Sequence, residues 1–147
     1  MKKISLIVII MACLVMLSSC GNKSKKIYVG MPYEDYLKLM KKESVLELCS
    51  YVFIKDGNNN VVVKFDADSE KVETIRFFTK KSVSSEDFST ITSGMNMFEV
   101  VEKVGLPFRS ITFGLTTLDF LAEHNNIYRI EFNEEMIVQS VNKITKK

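Results

Sequence analysis

Val29-Gly30-Met31-Pro32-Tyr33-Glu34-Asp35-Tyr36-Leu37 and Ser93-Gly94-Met95-Asn96-Met97-Phe98-Glu99-Val100-Val101 align at an offset of 64 residues, and the fold turns on that alignment. Two further blocks follow in the same order. Val61-Val62-Val63-Lys64-Phe65-Asp66 lines up with Tyr128-Arg129-Ile130-Glu131-Phe132-Asn133, and Val72-Glu73-Thr74-Ile75 with Val138-Gln139-Ser140-Val141. Three blocks recurring at nearly constant spacing predict a chain that repeats one structural unit.

Each copy predicts the same layout. Gly30 or Gly94 marks the entry, and Pro32 suits a first helical turn, where its missing N–H is not needed. A short helix follows, with Tyr33, Tyr36, Leu37 and Met40 on one stripe in the first copy. Met97, Val100, Val101 and Val104 form the stripe in the second. Gly105-Leu106-Pro107 stops the second helix. Strands are expected over 46–55, 61–66 and 72–79, with Asp56-Gly57-Asn58-Asn59-Asn60 as a turn. In the second copy they are expected over 110–113, 118–123, 127–133 and 137–145. The fold class is therefore α+β: two tandem units, each a short helix packed on an antiparallel meander, forming one or two adjoining sheets. The units span 28–81 and 92–147, and the serine-rich segment 82–91 is a connector.

Residues 1–19 read as a processing signal. Lys2 and Lys3 precede a 14-residue apolar run, Ile4 to Leu17, broken only by Ser5. A permanent membrane helix takes about 20 residues, so the run fits a secretory signal. It ends in Leu17-Ser18-Ser19-Cys20, which resembles the bacterial lipobox at every position. That resemblance implies a diacylglycerol thioether on Cys20 and cleavage before it. The mature chain would then be held to the extracytoplasmic side of a bacterial membrane by its lipid, since several acyl chains anchor stably where one is marginal. Residues 20–27 are a polar tether whose three lysines either touch anionic lipid or are simply solvated. Nothing after Cys20 selects one membrane or leaflet.

Gly94-Met95, Gly105-Leu106-Pro107, Thr116-Thr117-Leu118 and Tyr128-Arg129-Ile130-Glu131-Phe132 resemble the small-lipoprotein repeat of the SmpA/OmlA family, a unit found in tandem in β-lactamase-inhibitor-protein-like domains. The first copy departs from the pattern, with Lys41-Lys42-Glu43 in place of the Gly-x-Pro turn. The resemblance implies helices on one face of an antiparallel sheet and a task of protein–protein contact. The partner would be an envelope-assembly machine or, for an inhibitor-like protein, a secreted or envelope enzyme. Function carried from fold is analogy.

The residues themselves offer little chemistry. His124, the single histidine, stands in a polar turn beside Asn125 and Asn126 and completes no catalytic triad. Cys13 leaves with the signal and Cys20 is capped by lipid. Cys49 is left alone, so neither an intramolecular disulfide nor a histidine–cysteine metal cluster can form. Asp66-Ala67-Asp68-Ser69-Glu70 begins like a calcium loop, but Lys71 and Phe77 occupy the positions where glycine and glutamate are needed. No cofactor, metal or catalytic residue is expected, and the chain reads as non-catalytic; an enzyme with an unrecognised site is the weakest alternative. What remains is surface. Period-2 alternation over 46–55 sends Leu46, Leu48, Val52 and Ile54 to one side and Tyr51 and Phe53 to the other. Tyr51, Phe53, Arg76, Phe78 and Arg129 are the candidate protein-binding patch, aromatic residues and arginines being favoured interface material.

The 147 residues carry a formal charge of +2, too little for a nucleic-acid binder. Removing 1–19 takes away two lysines and no acid, so the mature charge is zero. Setting aside the lysines at 23, 25, 26, 143, 146 and 147 leaves 12 basic against 18 acidic residues. The working part is acidic.

Overall fold

The computed structural model describes residues 23–40, 45–48, 50–113 and 115–144. The expected signal, Cys20 and Cys49 lie outside those residues. The described chain is α+β, with two antiparallel four-stranded sheets and a few short helices. The first sheet holds β1 (Val45–Leu48), β2 (Tyr51–Asp56), β3 (Asn59–Phe65) and β4 (Val72–Thr79) in chain order. The second holds β5 (Arg109–Phe113), β6 (Leu115–Leu121), β7 (Ile127–Phe132) and β8 (Val138–Ile144), again in chain order. Helix α1 (Tyr33–Met40) precedes the first sheet. Helices α2 (Ser85–Ser89) and α3 (Met97–Val104) precede the second.

The local chemistry of these helices is plain. Asn96 caps α3: its side chain accepts from the N–H of Phe98 (3.0 Å) and Glu99 (3.2 Å), while Glu99 reaches back to the Asn96 N–H (2.8 Å). This reciprocal box satisfies donors that a helix start leaves open. Ser84 and Asp87 form the same box at α2, so the segment expected to be a plain connector contains a helix. Gly105 ends α3 at φ +73°.

Several features recur at corresponding places. Gly30 and Gly94 adopt φ +88° and +96°. Their N–H groups donate to the carbonyls of Val72 (2.8 Å) and Val138 (3.1 Å). Isolated bridges join Pro32 to Lys71 and Asn96 to Ile137. The third strand of each sheet carries a register shift, at Lys64/Phe65 and at Glu131/Phe132. Space beside Gly94 is open, so Gly94→Ala meets only the backbone penalty of a left-handed φ. We expect it to lower stability by about 1 kcal/mol or more, read from the urea midpoint.

Two buried clusters hold the molecule together. The first joins Tyr36 and Met40 of α1, with Ile27 and Met31, to Val52, Ile54, Val61, Val63, Phe65 and Val72 of the first sheet. The second gathers Met97, Val100, Val101 and Val104 of α3 with residues of both sheets: Leu48, Tyr51, Phe53 and Val62 from one, Leu118, Phe120, Ile130, Phe132 and Val138 from the other. Alternate residues of β2 and β3 therefore enter different clusters, and the centre of the first sheet is covered on both faces.

That arrangement corrects the strand expected over 46–55. It is two strands, β1 and β2, folded back with Leu46 opposite Phe53 and Leu48 opposite Tyr51. Cross-paired residues share a face, so Leu46 and Leu48 lie with Tyr51 and Phe53, not with Val52 and Ile54. The period-2 count fails because the chain reverses between Leu48 and Tyr51. A reversal of two residues leaves little composition to mark it.

Candidate functional site

The expected surface patch is dispersed. Tyr51 is 6% exposed and Phe53 2%, both inside the core shared with α3. Tyr51 lies 5.8 Å from the Phe98 ring of α3, centre to centre. Phe78 is half-buried against the same core. Arg76 is exposed, its guanidinium 5.4 Å above the Phe98 ring. These four residues border α3, which takes the place expected of an open surface. Arg129 stands apart from them, on β7 of the second sheet.

Arg129 leads to a different site. On β6, Leu118 and Phe120 enter the core, so Asp119 between them points to the opposite face. Arg109 of β5 and Arg129 of β7 stand directly across from it, giving one row over three strands. Asp119 has no exposed side-chain surface. Arg129 donates from Nε to Oδ1 (2.9 Å) and from Nη2 to Oδ2 (3.2 Å), and Arg109 donates from Nε to Oδ2 (2.8 Å) and also from Nη2. The arginines are the lid: Arg109 keeps about half its side-chain surface exposed (51%) and Arg129 about a third (30%). Arg109 also lies 5.8 Å from the ring of Phe108, itself 48% exposed.

Burial pushes the Asp119 carboxyl up, but hydrogen bonds from Arg129 and Arg109, together with their charge, outweigh it and hold the carboxyl below the usual carboxylate value. A depressed folded-state pKa contributes stability above the unfolded pKa, about 3.9. That contribution is lost as pH falls through the lower folded value. We therefore expect the chain to lose stability on acidification below about pH 4. In Asp119→Asn the acid limb of a stability–pH curve, measured by urea unfolding, should be flatter.

Around the row, Thr117, Leu121, Ile127, Glu131, Ser140 and Asn142 occupy the same face by strand alternation and cross-strand pairing, and they are half-buried or exposed. Ser140 donates to Glu131 (2.7 Å). A guanidinium carries five N–H donors in a fixed fork. With two from each arginine aimed at Asp119, the outer edges of both remain suited to a carboxylate or carbonyl from outside. Asp119 and Arg109 were not singled out from sequence, although their spacing of 10 and the matching spacing to Arg129 on successive short strands carries the signal.

A second concave feature, of about 410 Å³, lies beside α1 and is lined by Tyr33, Glu47, Ser50, Val52, Phe65, Asp66, Ala67 and Glu70. Tyr33 donates to Glu47 (3.2 Å), and burial followed by that carboxylate raises its phenol. Asp66 Oδ1 accepts from the Ser69 N–H (2.8 Å) and hydroxyl (2.6 Å), so the acidic stretch that begins like a calcium loop is a closed turn. His124 sits exposed at φ +58° in a 3-10 turn over Glu123–Asn125. Among the described residues, no helix is long and apolar enough to cross a membrane. Comparison with protein-family models and with curated proteins returns no match.

Proposed function

We propose that this chain is a lipid-anchored, extracytoplasmic protein-binding lipoprotein of a bacterial envelope, non-catalytic, built from two units of one ancestral repeat. The lipobox-like Leu17-Ser18-Ser19-Cys20 supports the anchor. Matching glycine conformations, bridges, strand order and bulge positions support the repeat. In this reading α1 serves the first sheet as α3 serves the second.

One observation carries the binding function. In the first sheet, the row Leu46–Phe53–Val62 across β1, β2 and β3 is covered by α3. In the second sheet the row Arg109–Asp119–Arg129 occupies the same three strand positions, and its face is open enough to leave both guanidinium groups in contact with solvent. Arg129 stands two residues before the bulge, as Val62 does. A sheet face whose counterpart takes a helix is a surface shaped to take one, and arginine beside aromatic and aliphatic groups suits a protein contact.

Two measurements test this. Palmitate labelling should disappear in Cys20→Ala, and persistence of the label would remove the anchor. A photo-crosslinking residue at Thr117, in intact cells, should capture a protein whose identity separates the two lines of the binding reading. An envelope machine indicates an assembly accessory, and a soluble hydrolase indicates an inhibitor. Capture from no position on this face, with the protein present in the envelope, would end the reading.

A further inference from the structure

We infer that the molecule stands end-on on the membrane that anchors it, with one lysine-rich end seated against anionic lipid headgroups and the opposite, acidic end turned away. The inference rests on the anchor proposed for Cys20 and adds the surface that meets the bilayer.

The start of the folded body decides which end is near. Residues 20–27 read as a free tether in the sequence, but Ser24 is 1% exposed and Ile27 6%. The 3-10 turn Lys23–Lys26 packs against β2, and the Ser24 hydroxyl donates to the Asp56 carboxylate where that strand ends. Ser24 stands four residues beyond Cys20. At about 3.5 Å per residue, the anchored residue is within roughly 14 Å of this strand end. The β2–β3 turn follows Asp56 directly, and Lys80 joins it by donating its N–H to the Asn58 carbonyl (2.8 Å). The second sheet brings its β6–β7 turn to the same end. There Glu123 donates its N–H to the Val83 carbonyl (2.9 Å) and accepts from the Ser82 hydroxyl (2.7 Å). Strand β8 finishes beside that turn, with Ile144 opposite Ile127.

The charges sort by end. The near end carries the three lysines of the 23–26 turn, Lys55, Lys80, Lys81 and Lys143, and the sequence runs on as Thr145-Lys146-Lys147. Set against them among the described residues are Asp56, Glu86, Asp87 and Glu123, and Asp87 takes up Lys81 (3.8 Å). Lys26, Lys55, Lys80 and Lys143 are exposed and form no ion pair with a described residue. The far end is made by the turns at 66–71 and 133–137, which bridge to Pro32 and Asn96 at the starts of α1 and α3. It exposes Glu34, Asp68, Glu70, Glu134 and Glu135, with Asp66 half-buried among them. Lys71 is the neighbouring cation, Lys64 being held by Glu73 (2.7 Å). Two separate placements therefore agree: the anchor leaves from the end that collects the lysines. Lysines near an anionic lipid surface are attracted to it within about one Debye length, roughly 8–10 Å. The seven residues of β3 put the carboxylate end roughly 20 Å farther out, beyond that range.

The test uses the lipid-bearing full chain with Cys49→Ser, reconstituted into vesicles of phosphatidylcholine alone or mixed in equal parts with phosphatidylglycerol. A fluorophore is placed at Asn58→Cys on the near end or at Asp68→Cys on the far end, and quenched by a spin-labelled lipid headgroup. On the anionic vesicles the Asn58 label should be quenched about threefold more than the Asp68 label. Lys55→Glu with Lys80→Glu should return that ratio to its value on phosphatidylcholine, and Lys55→Gln with Lys80→Gln should fall between. Lys71→Glu, the same charge change at the far end, should leave the ratio unaltered. Salt at about 1 M, where the Debye length is about 3 Å, should act as the lysine reversal does. A ratio equal on the two kinds of vesicle, or unmoved by the Lys55 and Lys80 variants, overturns the inference. If palmitate is present on Cys20 in that case, the seat falls and the anchor stands; if palmitate is absent, both fall.

Discussion

Replacing Arg109 and Arg129 by leucine while keeping Asp119 is expected to cost about 3–5 kcal/mol, because it leaves a buried carboxylate without its counter-charges. Asp119 has no exposed side-chain surface, and the two guanidinium groups are both its partners and its cover. The informative companion is the triple variant Arg109→Leu, Asp119→Phe, Arg129→Val, which copies the Leu46–Phe53–Val62 row of the first sheet. Well-packed apolar substitutes for buried ion pairs are neutral or stabilising by about 1–4 kcal/mol. Part of this row is solvent-exposed, so the gain should sit at the low end. Urea unfolding should therefore rank the triple variant near or above the parent and the double variant far below it. The triple variant should also associate non-specifically, since it adds apolar surface to an outward face. If the double variant unfolds at the parent's urea midpoint, Asp119 does not depend on its arginines.

Phe53→Ala should be comparably damaging. Phe53 is 2% exposed, in a core formed by α3 and both sheets. Truncating a buried phenylalanine typically costs about 3–5 kcal/mol, a transfer loss plus a cavity. A surface phenylalanine would cost within about 0.5 kcal/mol. The two readings of this residue thus differ severalfold, and one denaturation curve separates them. The cavity would open between the sheet and α3, so near-ultraviolet signals from Tyr51 should change with it. Phe53→Leu, which keeps most of the volume, should recover much of the loss.

Much of the fold was legible. The aligned glycines stand just before α1 and α3, the apolar stripe of α3 is buried, and the β-rich runs over 61–66, 72–79 and 127–133 match strands to within two residues. In α1 the expected stripe is buried at Tyr36 and Met40, whereas Leu37 is 45% exposed. Local signals suffice there because alternation and turn chemistry agree. The reversal between Leu48 and Tyr51 was not legible, since Leu46 to Lys55 is β-rich throughout and contains neither glycine nor proline. The covering of Tyr51 and Phe53 was illegible for a different reason. It is set by α3, more than 40 residues later, and no local pattern reports a neighbour that distant. Of the candidate site, the sequence singles out Arg129 alone. The row becomes visible once register is known, because pairing of β5 with β6 and β6 with β7 converts equal spacings into a line of charges.

The shared core also bears on how the chain acquires its shape as it is delivered to the compartment where it folds. A polypeptide emerges amino end first, and domains tend to fold as units as they emerge. The first sheet is complete at Thr79, whereas the helix that covers its Phe53 and Val62 face ends at Val104. For the interval in which those 25 residues are being delivered, a hydrophobic sheet face waits for its lid. The partly delivered chain is then most exposed to misassociation. Slowing delivery of residues 80–104 should lower the yield of correctly folded protein more than slowing any later stretch.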